Sequence, residues 1–323
     1  MLAVAAALMS AVFYGSGDFA GGLATRRASV IRVALLTQSV SAVVIAIAVW
    51  SSGAPRPTAG AVAWGMVAGL AGACGALALL AGFRHAVFSV AAPLSAVGAA
   101  GFSVLAGLLL GERPSPLALT GIVLALPAIV GVSASARGTA GAPAPGGPQA
   151  PGGPQAAGGT EVSGTTGSAS PARSTAAGAA RGRAPTGASY GLAAGVCFAL
   201  LFIGLNQAGS GSGLWPVFSG QVAAFAAVGC LAAFTGDFRL PEARGGWLAA
   251  IAGLTGGPGT IFYFLATHHG LLAVAAVLSS LYPAVTIMLA RLLAGERLTA
   301  VRLAGLSLGA ASVALIAAGG PGG

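Results

Sequence analysis

Ten long apolar segments, separated by short polar stretches, run along the 323-residue chain. Each is close to the roughly 20 residues that an α-helix needs to cross the roughly 30 Å hydrocarbon core of a bilayer. The sequence therefore predicts an all-α integral membrane protein with ten transmembrane helices. These helices are predicted at residues 2–23, 30–50, 61–82, 86–110, 115–135, 189–208, 213–235, 246–267, 270–294 and 299–319.

The composition agrees with lipid as the surrounding solvent. Only 7% of the residues are charged, whereas a soluble protein has about 25%. All fifteen basic residues are arginines, scattered singly or in pairs without a basic stripe, so the net charge of +9 does not indicate a nucleic-acid partner. The excess of Ala and Gly is typical of a GC-rich bacterial genome, and we expect a bacterial inner or plasma membrane.

Residues 136–188 differ from the rest of the chain because Gly, Pro, Ala and Ser dominate and no apolar period survives. Such a segment cannot bury enough apolar surface to fold. We predict a disordered linker that joins a first five-helix domain, residues 1–135, to a second, residues 189–320.

The two halves are related by an internal repeat. An offset of 184 residues places Leu105–Arg113 on Leu289–Arg297, and it also places His85 on His269. Because each half has an odd number of spans, the second half must enter the membrane from the opposite face. The sequence therefore predicts two inverted five-helix repeats, an arrangement typical of alternating-access transporters with a midplane site.

Several motifs resemble EamA-type repeats of the drug/metabolite transporter (DMT) superfamily. Leu281–Val285, followed by Gly295–Leu298, resembles the carboxy-terminal signature of such repeats, and Tyr14–Ala20 is similar to their opening pattern. The sixth span departs from this opening pattern, since Phe198–Asn206 lacks the Gly-Ser pair. The resemblance implies a ten-helix carrier of amino acids, drugs or other metabolites, commonly an exporter driven by an ion gradient or by exchange.

Asp18 is the only acidic residue well inside a predicted span. A charge in the bilayer centre costs about 2.5–3.5 kcal/mol on insertion scales, so it should face a cavity or a partner. One interpretation is a site for a proton or cation on the inner face of the first helix. The other is a hydrated carboxylate near the interface that pairs with Arg26 or Arg27.

Polar side chains inside other spans are further candidates for lining a substrate or ion cavity. They are Tyr14, Asn206, Gln207, Tyr263 and Tyr282. Amide and phenol groups at membrane depth need partners, and a solute can be one. The alternative for each is an interhelical hydrogen bond or an interfacial anchor.

Glu112 and Glu296 occupy matching positions just before the fifth and tenth spans. A carboxylate in the first turn of a helix complements the helix dipole and accepts a backbone N–H. We predict that both are structural rather than coupling residues. Four prolines, Pro93, Pro127, Pro258 and Pro283, lie inside spans, where each frees a carbonyl and is expected to kink its helix.

We find no catalytic motif of the HExxH, GxSxG or Walker type, and therefore predict no enzyme and no cofactor. The three cysteines lie far apart without metal-ligand spacing, so no metal site is expected. The predicted function is secondary transport of a small-molecule solute, coupled to a proton or cation, by a monomer or homodimer. The alternative is a membrane scaffold or sensor without a transport cycle.

Arginines near the span ends bear on orientation. Thirteen of the fifteen fall on one side, and only Arg56 and Arg113 fall on the other. This bias predicts that both termini lie outside and the linker in the cytoplasm. The family resemblance implies the opposite orientation, with both termini inside.

Overall fold

A computed structural model describes residues 1–85, 88–134, 174–239, 241–294 and 300–319, and its regular secondary structure over these ranges is entirely helical. Glu296, predicted to be a structural carboxylate, lies outside the described ranges. The helices are α1 (Leu2–Thr25), α2 (Val30–Ser51), α3 (Ala59–His85), α4 (Phe88–Leu109), α5 (Pro116–Ala134), α6 (Ser174–Gln207), α7 (Trp215–Thr235), α8 (Ala243–His268), α9 (Leu272–Ser279), α10 (Tyr282–Ala294) and α11 (Ala300–Gly319).

These helices confirm the predicted all-α membrane fold. Within the described ranges, eight helical segments are long and apolar enough to cross a membrane, and the continuous stretch Leu272–Leu293 counts as one of them. The predicted fifth and tenth spans correspond to shorter apolar helices over Pro116–Gly131 and Leu303–Gly319. Every predicted span therefore has a helical counterpart.

The ninth span is divided into α9 and α10 by Ser280 and Leu281. Pro283 lacks a backbone N–H and cannot donate to the carbonyl of Ser279. The N–H of Leu281 instead turns back to the carbonyl of Leu278, at 3.2 Å. The other three prolines lie inside continuous helices, so only the prediction at Pro283 coincides with an interruption.

The apolar span Ser189–Gln207 agrees with the predicted sixth span, but its helix begins before the apolar residues. Helix α6 starts at Ser174, so residues 174–188, which the sequence assigns to the linker, form its first turns. Six of these fifteen residues are Ala, which has the highest helix propensity, although three Gly and Pro185 also lie in the stretch. The predicted linker residues 136–173 lie outside the described ranges.

The helix packing interleaves the two halves. Helix α1 packs against α8 and α3 against α6, while α2 packs against α8 and α3 against α7. Under the repeat, α1 corresponds to α6, α2 to α7 and α3 to α8. Each of these contacts is therefore matched by its counterpart, and α5 pairs with its own equivalent, α11. Two halves related by a two-fold axis produce this pattern.

One contact shows the repeat at atomic detail. A Cβ added at Gly259 would lie 2.9 Å from the ring of Tyr14, and one added at Gly75 would lie 2.9 Å from the ring of Phe198. The offset of 184 residues relates Gly75 to Gly259 and Tyr14 to Phe198. The same aromatic-on-glycine contact therefore occurs twice between the halves, once with the aromatic ring from each half.

Helices α3 and α7 meet backbone to backbone. A Cβ at Gly69 would lie 1.8 Å from the carbonyl oxygen of Gly220, and one at Gly220 would lie 2.6 Å from the carbonyl oxygen of Gly65. Small residues allow helices to approach closely in lipid, where no hydrophobic effect drives them together. This contact holds α7 against α3 beside the space between the halves.

A polar cluster ties the loop before α2 to the loop after α7. The hydroxyl of Ser29, which caps α2, donates to the carboxylate of Asp237, and the guanidinium of Arg32 pairs with the same carboxylate. The hydrogen bond from Ser29, together with Arg32, lowers the pKa of Asp237. The carboxylate therefore stays ionised and keeps the two loops linked at neutral pH.

Candidate functional site

A cavity of about 180 Å³ lies between the two halves, bounded by α1, α2 and α3 from the first half and by α6, α7, α8 and α10 from the second. The wall from α1, α2 and α8 carries most of the polar groups, whereas the wall from α3 and α6 is apolar. The polar wall includes Tyr14, Asp18, Thr37, Gln38, Ser41 and Thr260. The apolar wall includes Ala76, Leu79, Phe198, Leu201, Phe202 and Leu205.

Asp18 lies on the cavity wall, one helical turn after Tyr14 on α1. Residues four apart share a helix face, which brings both side chains to the same space. Among the described residues no ion pair reaches Asp18, and Arg26 and Arg27 are exposed at the end of α1. The structure therefore favours the cavity interpretation of Asp18 over the arginine pair.

Two tyrosines, Tyr14 and Tyr282, line the same cavity as the Asp18 carboxylate. The hydroxyl of Tyr14 donates to Thr260 Oγ1 on α8 at 3.1 Å. The hydroxyl of Tyr282 lies 2.6 Å from Ser95 Oγ on α4. Tyr282 is placed by the break between α9 and α10, because it is the first residue of α10. These bonds fix both rings against the cavity.

The sequence did not single out the polar groups of α2 and α7. The amide of Gln221 donates to the backbone carbonyl of Gln38 at 3.0 Å and to its Oε1 at 3.2 Å. The two glutamines are 183 residues apart, one short of the repeat offset. A glutamine at nearly equivalent positions of both halves was the signal that could have identified this pair, which bridges the halves at the cavity.

Three predicted residues do not line this cavity. The amide of Asn206 donates to Thr267 Oγ1 at 2.9 Å. The Tyr263 ring stacks on Phe202, with centroids 4.1 Å apart, and its hydroxyl donates to the Phe202 carbonyl at 3.3 Å. Gln207 is exposed at the end of α6. The structure thus places Asn206 and Tyr263 in contacts between α6 and α8, the kind of interhelical bond that the sequence left open.

Glu112 caps a helix, although not the helix that follows it. Its carboxylate accepts the backbone N–H groups of Leu272 and of Ala273, the latter at 2.9 Å, in the first turn of α9. Gly111, with φ of +90°, turns the chain back after α4. The absence of a side chain at Gly107 leaves room for the carboxylate, since a Cβ there would lie 2.4 Å from Glu112 Oε2.

Replacing Glu112 with Ala is expected to destabilise the protein, because the backbone N–H groups of Leu272 and Ala273, two buried residues, lose their acceptor. Each unsatisfied buried group costs about 1–3 kcal/mol. The thermal unfolding midpoint in detergent should fall clearly for Glu112→Ala and stay near wild type for the control Arg113→Ala, whose side chain is exposed. Equal midpoints for the two variants would contradict the capping role.

No group of three or more His, Cys, Asp or Glu side chains that could hold a metal ion occurs in the described ranges. Cys74, Cys197 and Cys230 are free thiols. The chemistry of the cavity therefore rests on one carboxylate, hydroxyl and amide groups, and aromatic rings.

Comparisons with known proteins agree with this architecture. The sequence profile of the EamA-like transporter family matches residues 1–134 and 185–318, which together form most of the chain. One protein chain solved by crystallography superposes with a TM-score of 0.66, covering 96% of this chain and 96% of that chain at 17% sequence identity. At this identity the likeness shows the fold alone. No curated protein sequence matches the chain significantly. The chain belongs to the EamA-like transporter family and is a multi-pass membrane transporter of the DMT type.

Proposed function

We propose that the protein is a secondary transporter that exports a small metabolite, amino-acid-like or drug-like solute across a bacterial cell membrane by alternating access. The observation that carries the proposal is the cavity between the two related halves, with Asp18 on its wall and no ion-pair partner for it among the described residues. An uncompensated carboxylate at membrane depth is costly and marks a site for a proton, a cation or a solute.

Alternating access follows from inverted repeats, because the two halves can exchange conformations across their pseudo-two-fold axis. The offset of 184 residues relates Phe202 to Asp18 and Tyr263 to Leu79. Phe202 lines the cavity and stacks on Tyr263, which does not line it, whereas both members of the counterpart pair, Asp18 and Leu79, line the cavity. We infer that the α6–α8 contact is the closed gate of this state and that it separates when the halves exchange conformations.

A disulfide across the α6–α8 contact tests the gate. The double variant Asn206→Cys/Thr267→Cys replaces two side chains whose Nδ2 and Oγ1 atoms are 2.9 Å apart. It is made in a background in which Cys74, Cys197 and Cys230 are replaced by serine. Oxidation is expected to lower the flux at least about tenfold, because a locked gate blocks the cycle, and a reductant should restore it. The two single-cysteine variants serve as controls. If the crosslinked protein transports as fast as the same variant with free thiols, the α6–α8 contact is not a gate.

Purified protein in liposomes tests transport itself. A panel of metabolites, amino acids and drug-like compounds is loaded, and efflux is followed with and without a pH gradient. Flux of at least one solute that responds to the gradient supports secondary transport. If no solute moves, the result favours a scaffold or sensor instead.

A further inference from the structure

We infer that the cavity selects a small monovalent amine cation whose apolar body is about the size of one aromatic ring. This inference rests on the proposed transport function and names the class of solute that the site accepts. It follows from the charge, the two unlike walls and the volume of the cavity.

Asp18 gives the cavity its charge. It is the only charged side chain among the described residues that line the cavity, and no arginine joins it there. In a site of low dielectric, an unpaired carboxylate attracts a cation and repels an anion far more strongly than it would in water. An ammonium group supplies the missing partner, whereas a solute carboxylate would find no cation among these residues.

The two halves contribute unlike side chains to the cavity at equivalent positions of the repeat. The offset relates Tyr14 to Phe198 and Asp18 to Phe202, and all four residues line the cavity. Equivalent positions therefore carry a hydroxyl and a carboxylate in the first half but two phenyl rings in the second. The backbone contacts are two-fold symmetric while the chemistry is not. A solute with a charged end and an apolar end matches this difference.

The aromatic rings beside the carboxylate suit an ammonium group as well. Tyr14 and Tyr282 line the same space as Asp18, and their hydroxyls are held by Thr260 and Ser95. Ring faces attract ammonium groups, more strongly when both are desolvated. The apolar body of the solute would then lie against Phe198 and Phe202.

The volume limits the size of the solute. The cavity measures about 180 Å³, whereas pockets for drug-sized ligands measure about 300–1,000 Å³. An engineered apolar cavity of about 150 Å³ in another protein holds one benzene molecule. The present cavity therefore accommodates one ring with a short amine substituent.

Three matched compounds test the inference by equilibrium binding to the purified protein in detergent. Benzylamine carries the proposed charge, benzyl alcohol is its neutral counterpart, and phenylglycine adds a carboxylate to the benzylamine skeleton. We expect benzylamine to bind at least about tenfold more tightly than either of the others, because only it pairs with Asp18 without an uncompensated charge. The inference is overturned if benzylamine does not bind, or if either comparison compound binds as tightly.

Two variants assign the selectivity to Asp18. In Asp18→Asn, benzylamine binding should weaken to that of benzyl alcohol, whose own affinity should stay unchanged and so report an intact cavity. In Asp18→Glu, which keeps the charge, the preference for benzylamine should persist, and this variant serves if Asp18→Asn does not fold. Retention of the preference in Asp18→Asn, or its loss in a folded Asp18→Glu, overturns the inference.

The same protein in liposomes separates this inference from the proposed function. Flux of other solutes without any selectivity for amines overturns the solute class and leaves transport standing. Amine-selective binding without flux of any solute overturns transport and leaves the binding site standing.

Discussion

Asp18→Asn is expected to lower solute flux in liposomes at least about a hundredfold. The substitution keeps the size and shape of the side chain and removes the only charge among the described residues that line the cavity. The variant would remove one partner of the ion pair proposed between Asp18 and the solute, and removing one partner of a buried ion pair costs about 3–5 kcal/mol. About 1.4 kcal/mol corresponds to a factor of ten. The loss should appear whether the partner is a cationic solute or a coupling proton.

A matched carboxylate elsewhere controls for a general effect of charge. Glu242 is exposed at the start of α8 and makes no side-chain cap bond. Glu242→Gln should transport at the wild-type rate. Wild-type flux through a folded Asp18→Asn protein would remove Asp18 from the transport mechanism.

The second large effect is expected for Gly69→Ala, which adds a single methyl group. That carbon would lie 1.8 Å from the carbonyl oxygen of Gly220, and backbone atoms cannot move aside as a flexible side chain can. Overpacking a core costs about 1–3 kcal/mol where side chains relax, so we expect a loss greater than about 3 kcal/mol here. Helix α7 would separate from α3 and the cavity wall would be lost.

Gly60→Ala is the matched control for Gly69→Ala. Gly60 lies in the same helix, and an added Cβ there meets nothing within 4 Å. Size-exclusion profiles and unfolding temperatures in detergent should show a monodisperse Gly60→Ala protein and an unstable or aggregated Gly69→Ala protein. Similar profiles for the two variants would show that α3 and α7 do not pack as closely as described.

Much of the fold follows from the sequence because lipid constrains a spanning segment to one structure. Apolar run length located every helix to within a few residues except α6, which begins at Ser174, 15 residues before the apolar span Ser189–Gln207. The interruption at Ser280 and Leu281 was harder to predict. Four prolines lie inside spans, and the sequence alone did not indicate that only the helix at Pro283 would divide.

The site was predicted in part, since a residue type does not reveal which way a helix is turned. Asp18, Tyr14 and Tyr282 were identified as polar groups at membrane depth, and all three line the cavity. Tyr263 and Asn206 carry the same kind of signal, but their helix faces pack into the α6–α8 contact. Their part in transport stays a prediction.

Side-chain contacts between residues that are far apart in the sequence could not be predicted from the sequence alone. Glu112 was predicted to cap the helix that follows it, yet its carboxylate reaches the first turn of α9, 160 residues further along the chain. Only the interleaved packing of the halves brings these groups together. The same packing joins Gln38 to Gln221.

A measurement of membrane topology tests whether the chain contains two inverted five-helix repeats, because the shared cavity requires two five-helix halves of opposite sense. Reporter domains are fused before Met1, within residues 141–170 and after Gly323, and their side of the membrane is read by reagents that cannot cross it. We expect both termini on one face and the linker on the other, and the measured face also decides between the arginine bias and the family orientation. A linker on the same face as the amino terminus would contradict five crossings per half, and with them the inverted repeats.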